Sequence, residues 1–551
     1  MPTEPNQQEP SVSQDSAPDI LSELLPAPSQ ESSKVEPPRP SVRGTDTIFV
    51  LLSIVAGDIL LYRAPGMTGY ALLLLALLAG LLVSRTDAKF TLNMALLLFF
   101  IPLLILRCIW QAGFWSVLWP VVLIAAFATI QRTAVTHALE ASVHGMISLA
   151  FGFVPLLQHL RNATLRAGGS LLKKRRAGEL RLDIALGAII TAGIFGAIFT
   201  VANPIFERLL DRIFRDFFHY FDFLLPSPTR ILLWLLVGVC AAGLASPVLS
   251  RFRFQFAEDD LDSAPSPLPF TGSIGSVALG VLFGANLIFL LNNALDTVYL
   301  WGEARPPSGI SFSDFARRGA GWLTFALFLS TVLIGVSTCR SALLSKQSRW
   351  IRRLSFLWIA QDIFLAVGVY RRIGLYVGFN GLTPMRILGI WGTTAVAAAL
   401  LVMAVKIHRE KNLVWLLRQF AVVFIAGMTL YAAFPDQLAC ARFNADQALN
   451  GNIRPLVWLF EQDITAEGSS ALVPLLHHPD PVVARGVSAI LADRLSTCEK
   501  SRNENWRKFQ ASSEAAFATL DPLRPGLIPD SSAREALRSA VWIYRNHSFY
   551  Y

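Results

Sequence analysis

Ionisable and amide side chains set inside apolar runs are where this chain could do chemistry. Such groups are costly in hydrocarbon and mark ion paths, proton relays or internal pairs. Four acids stand in such runs: Asp58, Glu140, Asp296 and Asp362. Asn286, Asn293 and Asp296 share one helical face, with Asn292 beside them. Asp296 precedes Trp301 by five residues, which puts it about one and a half turns inside the aromatic belt of Tyr299 and Trp301. Arg371 and Arg372 lie at a similar depth. The expectation is that an arginine neutralises Asp296 and that Asn292 and Asn293 line the same pocket. Asp362, ten residues before Arg372, lies near the midplane without an evident cation and is the better proton carrier.

His137, Glu140 and His144 fall at i, i+3 and i+7 and so share a face that could hold a metal. The spacing is not the H-E-x-x-H of a zinc protease and no further strong ligand is near, so a polar packing stripe is expected and no metal. The chain has no G-x-x-x-x-G-K-[ST] loop, no G-x-G-x-x-G after a strand and no G-x-S-x-G elbow. ATP hydrolysis, dinucleotide binding and hydrolase-type nucleophilic catalysis are disfavoured, and no cofactor is expected.

These residues need a membrane bundle to position them. Of 551 residues 53% are hydrophobic and 16% charged, and the mean hydropathy is +0.47, which excludes an ordinary soluble protein. Residues 1–46 are a Pro/Ser-rich tail with eight acids against three bases, so the net charge of +9 comes from bases in connectors. That pattern orients a membrane protein and does not resemble a nucleic-acid-binding stripe. The fold expected is an all-α polytopic bundle of about 10–11 spans with a C-terminal soluble helical domain.

Apolar runs at 47–62, 67–84, 90–110 and 114–130 make two hairpins, with Asp58 and Arg107 as polar intruders. Residues 134–160 are long enough to span, but whether they cross is open. The basic loop 161–181, centred on Lys173, Lys174, Arg175 and Arg176, should be cytoplasmic. A main membrane domain over 182–434 follows, with a surface-lying amphipathic helix at 207–224 and an acidic loop at 250–270. Further spans fall at 182–206, 230–249, 273–301, 319–338, 354–372, 387–405 and 413–433. The connectors 340–353 and 406–411 are basic, and an even number of spans separates them from each other and from 161–181. Residues 435–551 then fall on the outer side of a bacterial inner membrane. Between Arg372 and Arg386 the chain is apolar but too short to cross, which predicts an interfacial or re-entrant connector broken at Gly381 and Pro384. Residues 435–551 have a soluble composition, and 470–495 are similar to one HEAT-type helical pair. Cys440 and Cys498 are the only thiols there, and a disulfide between them is possible in an oxidising compartment.

Residues 292–301, Phe315 to Gly319, the stretch from Arg372 to Arg386 with Leu375, Tyr376, Gly381, Leu382 and Thr383, and the run Ala439 to Asn444 together resemble bacterial multi-pass inner-membrane proteins classed only as a domain of unknown function. The resemblance covers roughly 180–500 and departs from the pattern at Asn203 and Asn380. It implies fold and setting but no chemistry. Three functions stay open: an envelope structural or regulatory protein whose exported helical domain binds a protein partner, a proton-coupled transporter or channel for a small solute, and a membrane enzyme on lipid or glycan substrates. The lipid bilayer is a partner in all three, and nucleic acid in none.

Overall fold

In the computed structural model the structure describes residues 44–84, 90–133, 135, 137–167, 227–247, 274–302, 312–338, 340–343 and 346–547. The tail before residue 44, the basic cluster 173–176, the 182–206 span, the 207–224 surface helix, the 250–270 loop and Cys339 lie outside these residues. What is described is helical, in the order α1 (Gly44–Leu61), α2 (Met67–Val83), α3 (Leu92–Trp110), α4 (Phe114–Arg132), α5 (Ala138–Ala150), α6 (Phe153–Ala167), α7 (Pro228–Ala245) and α8 (Ile274–Asp296). A π-helical turn, Thr297–Trp301, ends α8. Then come α9 (Phe312–Ser337), α10 (Ser348–Asn380), α11 (Pro384–His408), α12 (Leu413–Ala433), α13 (Asp436–Leu449), α14 (Pro481–Arg502), α15 (Ala511–Leu520) and α16 (Ser531–His547), with short turns between the last four.

Among the described residues seven helices are long and apolar enough to cross a membrane, and three shorter apolar helices stand with them. This is a multi-pass membrane protein. Exposed leucines, isoleucines and phenylalanines along α1, α3, α8 and α9 suit a surface that faces lipid.

Contacts between helix ends give the bundle two faces. At one, Arg132 at the end of α4 pairs with Asp46 at the start of α1, and Arg352 near the start of α10 pairs with Glu410 just past α11. The connectors rich in Arg and Lys gather here, so we term it the basic face. At the other, Trp119 Nε1 donates to Thr429 Oγ1 near the end of α12, and Gly66 before α2 abuts the Arg507 backbone. Helix α1 therefore starts at the basic face, and Asp46, assigned to the tail by sequence, is a buried helical residue.

Residues 134–160 do not cross. Helices α5 and α6 are bent by 60° at residues 151–152. Glu140 at one end meets Arg418 near the start of α12, and His159 at the other meets Thr47 and Ser246, all at the basic face. Glycine makes the bend possible: a Cβ on Gly152 would lie 2.1 Å from the Val239 carbonyl oxygen, and one on Gly243 would lie 2.2 Å from that of Ser148. Close backbone approach of this kind is how helices associate where no hydrophobic drive exists between them.

The stretch after Arg372 departs from expectation. Helix α10 runs unbroken for 33 residues, about 50 Å and well beyond a ~30 Å hydrocarbon core, so 373–380 is helix and not an interfacial or re-entrant connector. Only 381–383 is non-helical. Gly381, at φ +77°, takes a left-handed conformation that favours glycine, and Pro384 opens α11. Lys406 also differs. It lies inside α11, 1% exposed, with Nζ donating to the carbonyl and hydroxyl of Thr338 at 2.7 and 2.9 Å. A buried ammonium is held there by the unsatisfied carbonyl end of α9.

The helices after residue 435 gather around an apolar cluster that includes Leu456, Trp458, Leu472, Val487, Leu491 and Leu537, which Ile387 of α11 and Tyr431 of α12 join. They belong to the same compact unit as the bundle, Val42–Tyr551. The first half of the expected HEAT-type pair is a 3₁₀ helix, Ser470–His477, because Pro474 sits inside it and removes a helical donor. The possible disulfide is not formed: Cys440 and Cys498 are both free and buried in different apolar clusters, Cys440 with Leu456 and Leu472, Cys498 with Ala466 and Ala516. Burial pushes the Cys440 thiol up to about 12 and raises that of Cys498. Both should resist a maleimide in native protein at pH 8 and react after unfolding without reductant; mass spectrometry of the labelled chain checks this, and labelling that needs reductant would contradict it.

Candidate functional site

Helices α8 and α10 run parallel and form the polar seam of the molecule. Asn286 Nδ2 donates to the Leu354 carbonyl at 3.0 Å, and one heptad later Asn293 Nδ2 donates to that of Gln361 at 3.1 Å. Gln361 Nε2 donates back to Asn286 Oδ1 at 2.8 Å. The shared face of Asn286, Asn293 and Asp296 is therefore turned to α10. Amides inside a bundle act as interhelical glue in this way.

At the upper end of the seam Arg372 grips Asp296 through two bonds, Nη1 to Oδ2 at 3.0 Å and Nη2 to Oδ1 at 2.5 Å. Both side chains are buried, at 3% and 5% exposed. Gly368 adjoins the pair: a Cβ there would lie 3.4 Å from Arg372 Nη1 and 3.5 Å from Asp296 Oδ2, in ordinary contact. Arg371 does not share this pair. Its Nε donates to the Leu300 carbonyl at 2.9 Å and its guanidinium lies 4.6 Å from the centre of the Trp301 ring. Leu300 belongs to the π turn, which the Gly302 N–H closes on Thr297 O at 2.9 Å. π-helical turns are rare, and no local residue pattern marks this one. Asn292 is half-buried and its Nδ2 has no partner, while Asn293 is engaged by Gln361, so neither amide is seen to bond to the ion pair.

Above the pair, two segments far apart in sequence meet. Asn444, fully buried on α13, clamps Leu382 with both amide atoms: Oδ1 accepts from Leu382 N at 2.7 Å and Nδ2 donates to Leu382 O at 2.9 Å. Arg386 donates to the carbonyls of Asn380 and Gly381, and its guanidinium lies 4.3 Å from the centre of the Tyr376 ring. Thr383 precedes Pro384 as the residue that caps α11. Asn452 Nδ2 reaches the Gly378 carbonyl at 3.1 Å. The break between α10 and α11 is thus held from the C-terminal helical region.

The remaining intramembrane acids have separate partners. Asp58 is held by Arg230 through two bonds of 2.6 Å and by Trp234 Nε1 at 2.9 Å. Glu140 accepts from Arg418 Nε at 2.8 Å. His144 is buried on the same helix, while His137 caps its exposed start. Among the described residues no group of three or more His, Cys, Asp or Glu is placed to hold a metal. Arg107 pairs with Glu467 at 2.9 Å, and Trp110 Nε1 donates to the same carboxylate at 3.0 Å. Sequence singled out Arg107 but not Glu467, which sits in a stretch of soluble composition 360 residues away. Among the described residues Asp362 has no such cation. It is fully buried, and among those residues only Ser330 Oγ meets it, at 2.7 Å from Oδ2.

Removing one member of a buried pair strands the other charge at a cost of about 3–5 kcal/mol, whereas removing both leaves none. Asp296→Leu and Arg372→Leu should each lower folded yield and thermal midpoint in detergent sharply, and the double variant should recover part of the loss. Simply additive losses would contradict a coupled pair.

No curated protein and no solved structure matches the chain. The family described as Domain of unknown function (DUF4153) matches residues 71–470, which takes in the polar seam, the 381–383 break, Asn444 and Glu467. The chain belongs to that family.

Proposed function

We propose that this protein is an envelope scaffold of a bacterial inner membrane, which presents residues 435–551 to a protein partner outside the cytoplasm. The observation that carries this is how its charges are used: Asp46–Arg132, Asp58–Arg230, Arg107–Glu467, Glu140–Arg418 and Asp296–Arg372 each join segments far apart in sequence. Groups committed to one another in this way fix helix positions and leave little for binding a solute. The C-terminal region is fastened to the bundle at several points: Glu467 to Arg107 and Trp110, Asn444 to Leu382, Ser512 Oγ to Gln111 at 2.7 Å, and Thr68 to the Phe509 carbonyl. A rigidly mounted helical region suits docking better than gating.

Sidedness supports the outward placement. The C-terminal region packs at the face opposite the connectors that carry Arg349, Arg352, Arg353, Arg409 and Lys411, and cationic connectors stay cytoplasmic. Trp506 and Phe509, both exposed beside the start of α2, stand at the height of an interfacial aromatic belt.

A phosphatase fused after residue 551 should be active in cells, and a fluorescent protein that folds only in the cytoplasm should stay dark there. The reverse pattern would reject the proposal. In the purified protein Glu467→Gln, which removes the charge that holds Arg107, should leave the membrane helices intact while exposing 435–551 to limited proteolysis. Unchanged protease resistance would show that the pair does not mount the region.

A further inference from the structure

Asp362 breaks the rule that the other intramembrane acids follow. It lies 14 residues into the 33 of α10, 0% exposed, with Oδ2 bonded to Ser330 and Oδ1 without a partner among the described residues. No cation from any packed element reaches it in the contacts described. Arg352, Arg353, Arg371 and Arg372 on α10 are nine or ten residues away, about 14–15 Å along the axis. On α8 the one charge is Asp296, held by Arg372; on α11 Arg386 and Lys406 are held at opposite faces. Residues 323–337 of α9 contain no ionisable group, and Arg340 and Arg454 stand on short helices at the two ends of α10. A carboxylate at this point would be an uncompensated charge among Trp358, Ile359, Leu365 and Ala366, so the packing accommodates the neutral acid.

A second observation gives this acid a route. Ser355, Trp358 and Asp362 fall at i, i+3 and i+7 on one face of α10, at 0%, 1% and 0% exposure. Ser355 Oγ, Trp358 Nε1 and Asp362 Oδ1 are all buried without a hydrogen-bond partner among the described residues. Unmet polar atoms are rare in native interiors, and water commonly satisfies them when several lie together. The three step about one per turn from mid-helix toward the basic face, where Arg352 and Glu410 pair at the surface.

We propose that Asp362 is a proton-binding site that exchanges with the basic face through water held along Trp358 and Ser355. In the release step the acid O–H bond breaks, its electron pair stays on the carboxylate and the proton passes to water; uptake is the reverse. Ser330 Oγ lies 2.7 Å from Oδ2 and 2.8 Å from the Leu327 carbonyl, so its one O–H serves Oδ2 when the acid is ionised and can turn to Leu327 when the acid is protonated. The ligand is the proton itself, and the site stands independently of the scaffold role.

Infrared difference spectroscopy of the purified full-length protein tests this. The spectrum at neutral pH should contain the carbonyl stretch of a protonated carboxylic acid, this band should vanish in Asp362→Asn, and transfer to heavy water should shift it as deuterium replaces the proton. If Asp362→Asn does not fold, Asp362→Glu serves, because the band should then change frequency without being lost. The combined variant Ser355→Ala/Trp358→Phe should slow the heavy-water shift by about tenfold, the effect of roughly 1.4 kcal/mol on a barrier. A wild-type spectrum without the band, a band insensitive to substitution of Asp362, or one that heavy water never shifts would each overturn the proposal. So would an exchange rate untouched by the Ser355 and Trp358 changes.

Discussion

A charge in hydrocarbon must find an opposite charge or lose its own, and most of this bundle is arranged by the first solution. Lone acids or bases at mid-membrane cost about 2.5–3.5 kcal/mol each on insertion scales, more than most apolar contacts return. The pairs that avoid this cost lie far apart in sequence: 86 residues for Arg132 and Asp46, 172 for Arg230 and Asp58, 278 for Arg418 and Glu140, and 360 for Arg107 and Glu467. Apolar helices slide and rotate against one another with little penalty, since lipid is as good a neighbour as leucine. Ion pairs do not permit that freedom. Each fixes which helices adjoin and at what height, and small-residue contacts such as Gly152 on Val239 then close the fit.

The same constraint explains the layering. Pairs concentrate toward the two faces, where the charge is easier to solvate, and the seam between α8 and α10 changes character with depth. Its middle is held by the neutral amides Asn286, Asn293 and Gln361, and only its upper end carries the full charges of Asp296 and Arg372. Amides cost less to bury than ions and still give a directional contact. Asp362 is at amide depth, where its one partner among the described residues is a neutral hydroxyl.

Much of this was legible because spans and polar intruders are local properties. The apolar runs located the helices, and the helical period put Asn286, Asn293 and Asp296 on one face. Gly381 and Pro384 marked the true end of α10, since no other pair in that stretch both permits positive φ and forbids helix. What misled was the step from charge to interface. Arg371 and Arg372 look like snorkelling residues at a membrane boundary, yet they stay within α10, which continues for two more turns because Asn444 and Asn452 of a distant segment receive its end. Lys406 misled in the same way, since a lysine near a helix end reads as solvated until the carbonyls of α9 are in place. Glu467 was illegible, since nothing local distinguishes it from its acidic neighbours Glu461 and Asp463. Whether Cys440 and Cys498 pair was open from compartment alone, and the two side chains pack into separate clusters.

Why an arginine, and why at 372, follows from helix geometry. The seam repeats every seven residues, with 286 opposite 354 and 293 opposite 361, so the next layer places Leu300 opposite Gly368. Gly368 sits in that layer beside the Asp296 carboxylate and the Leu300 side chain. Side chains on a helix point back toward its N-terminus, so a residue one turn beyond Gly368 covers that layer. Arg371 and Arg372 are those residues. Their long stems reach back one turn, one to the Leu300 carbonyl that the π turn leaves at the helix end and the other to both carboxylate oxygens of Asp296. Lysine could neutralise the acid but could not bond both oxygens in one plane, and the fork of Arg372 is what fixes the rotation of α8 as well as its height.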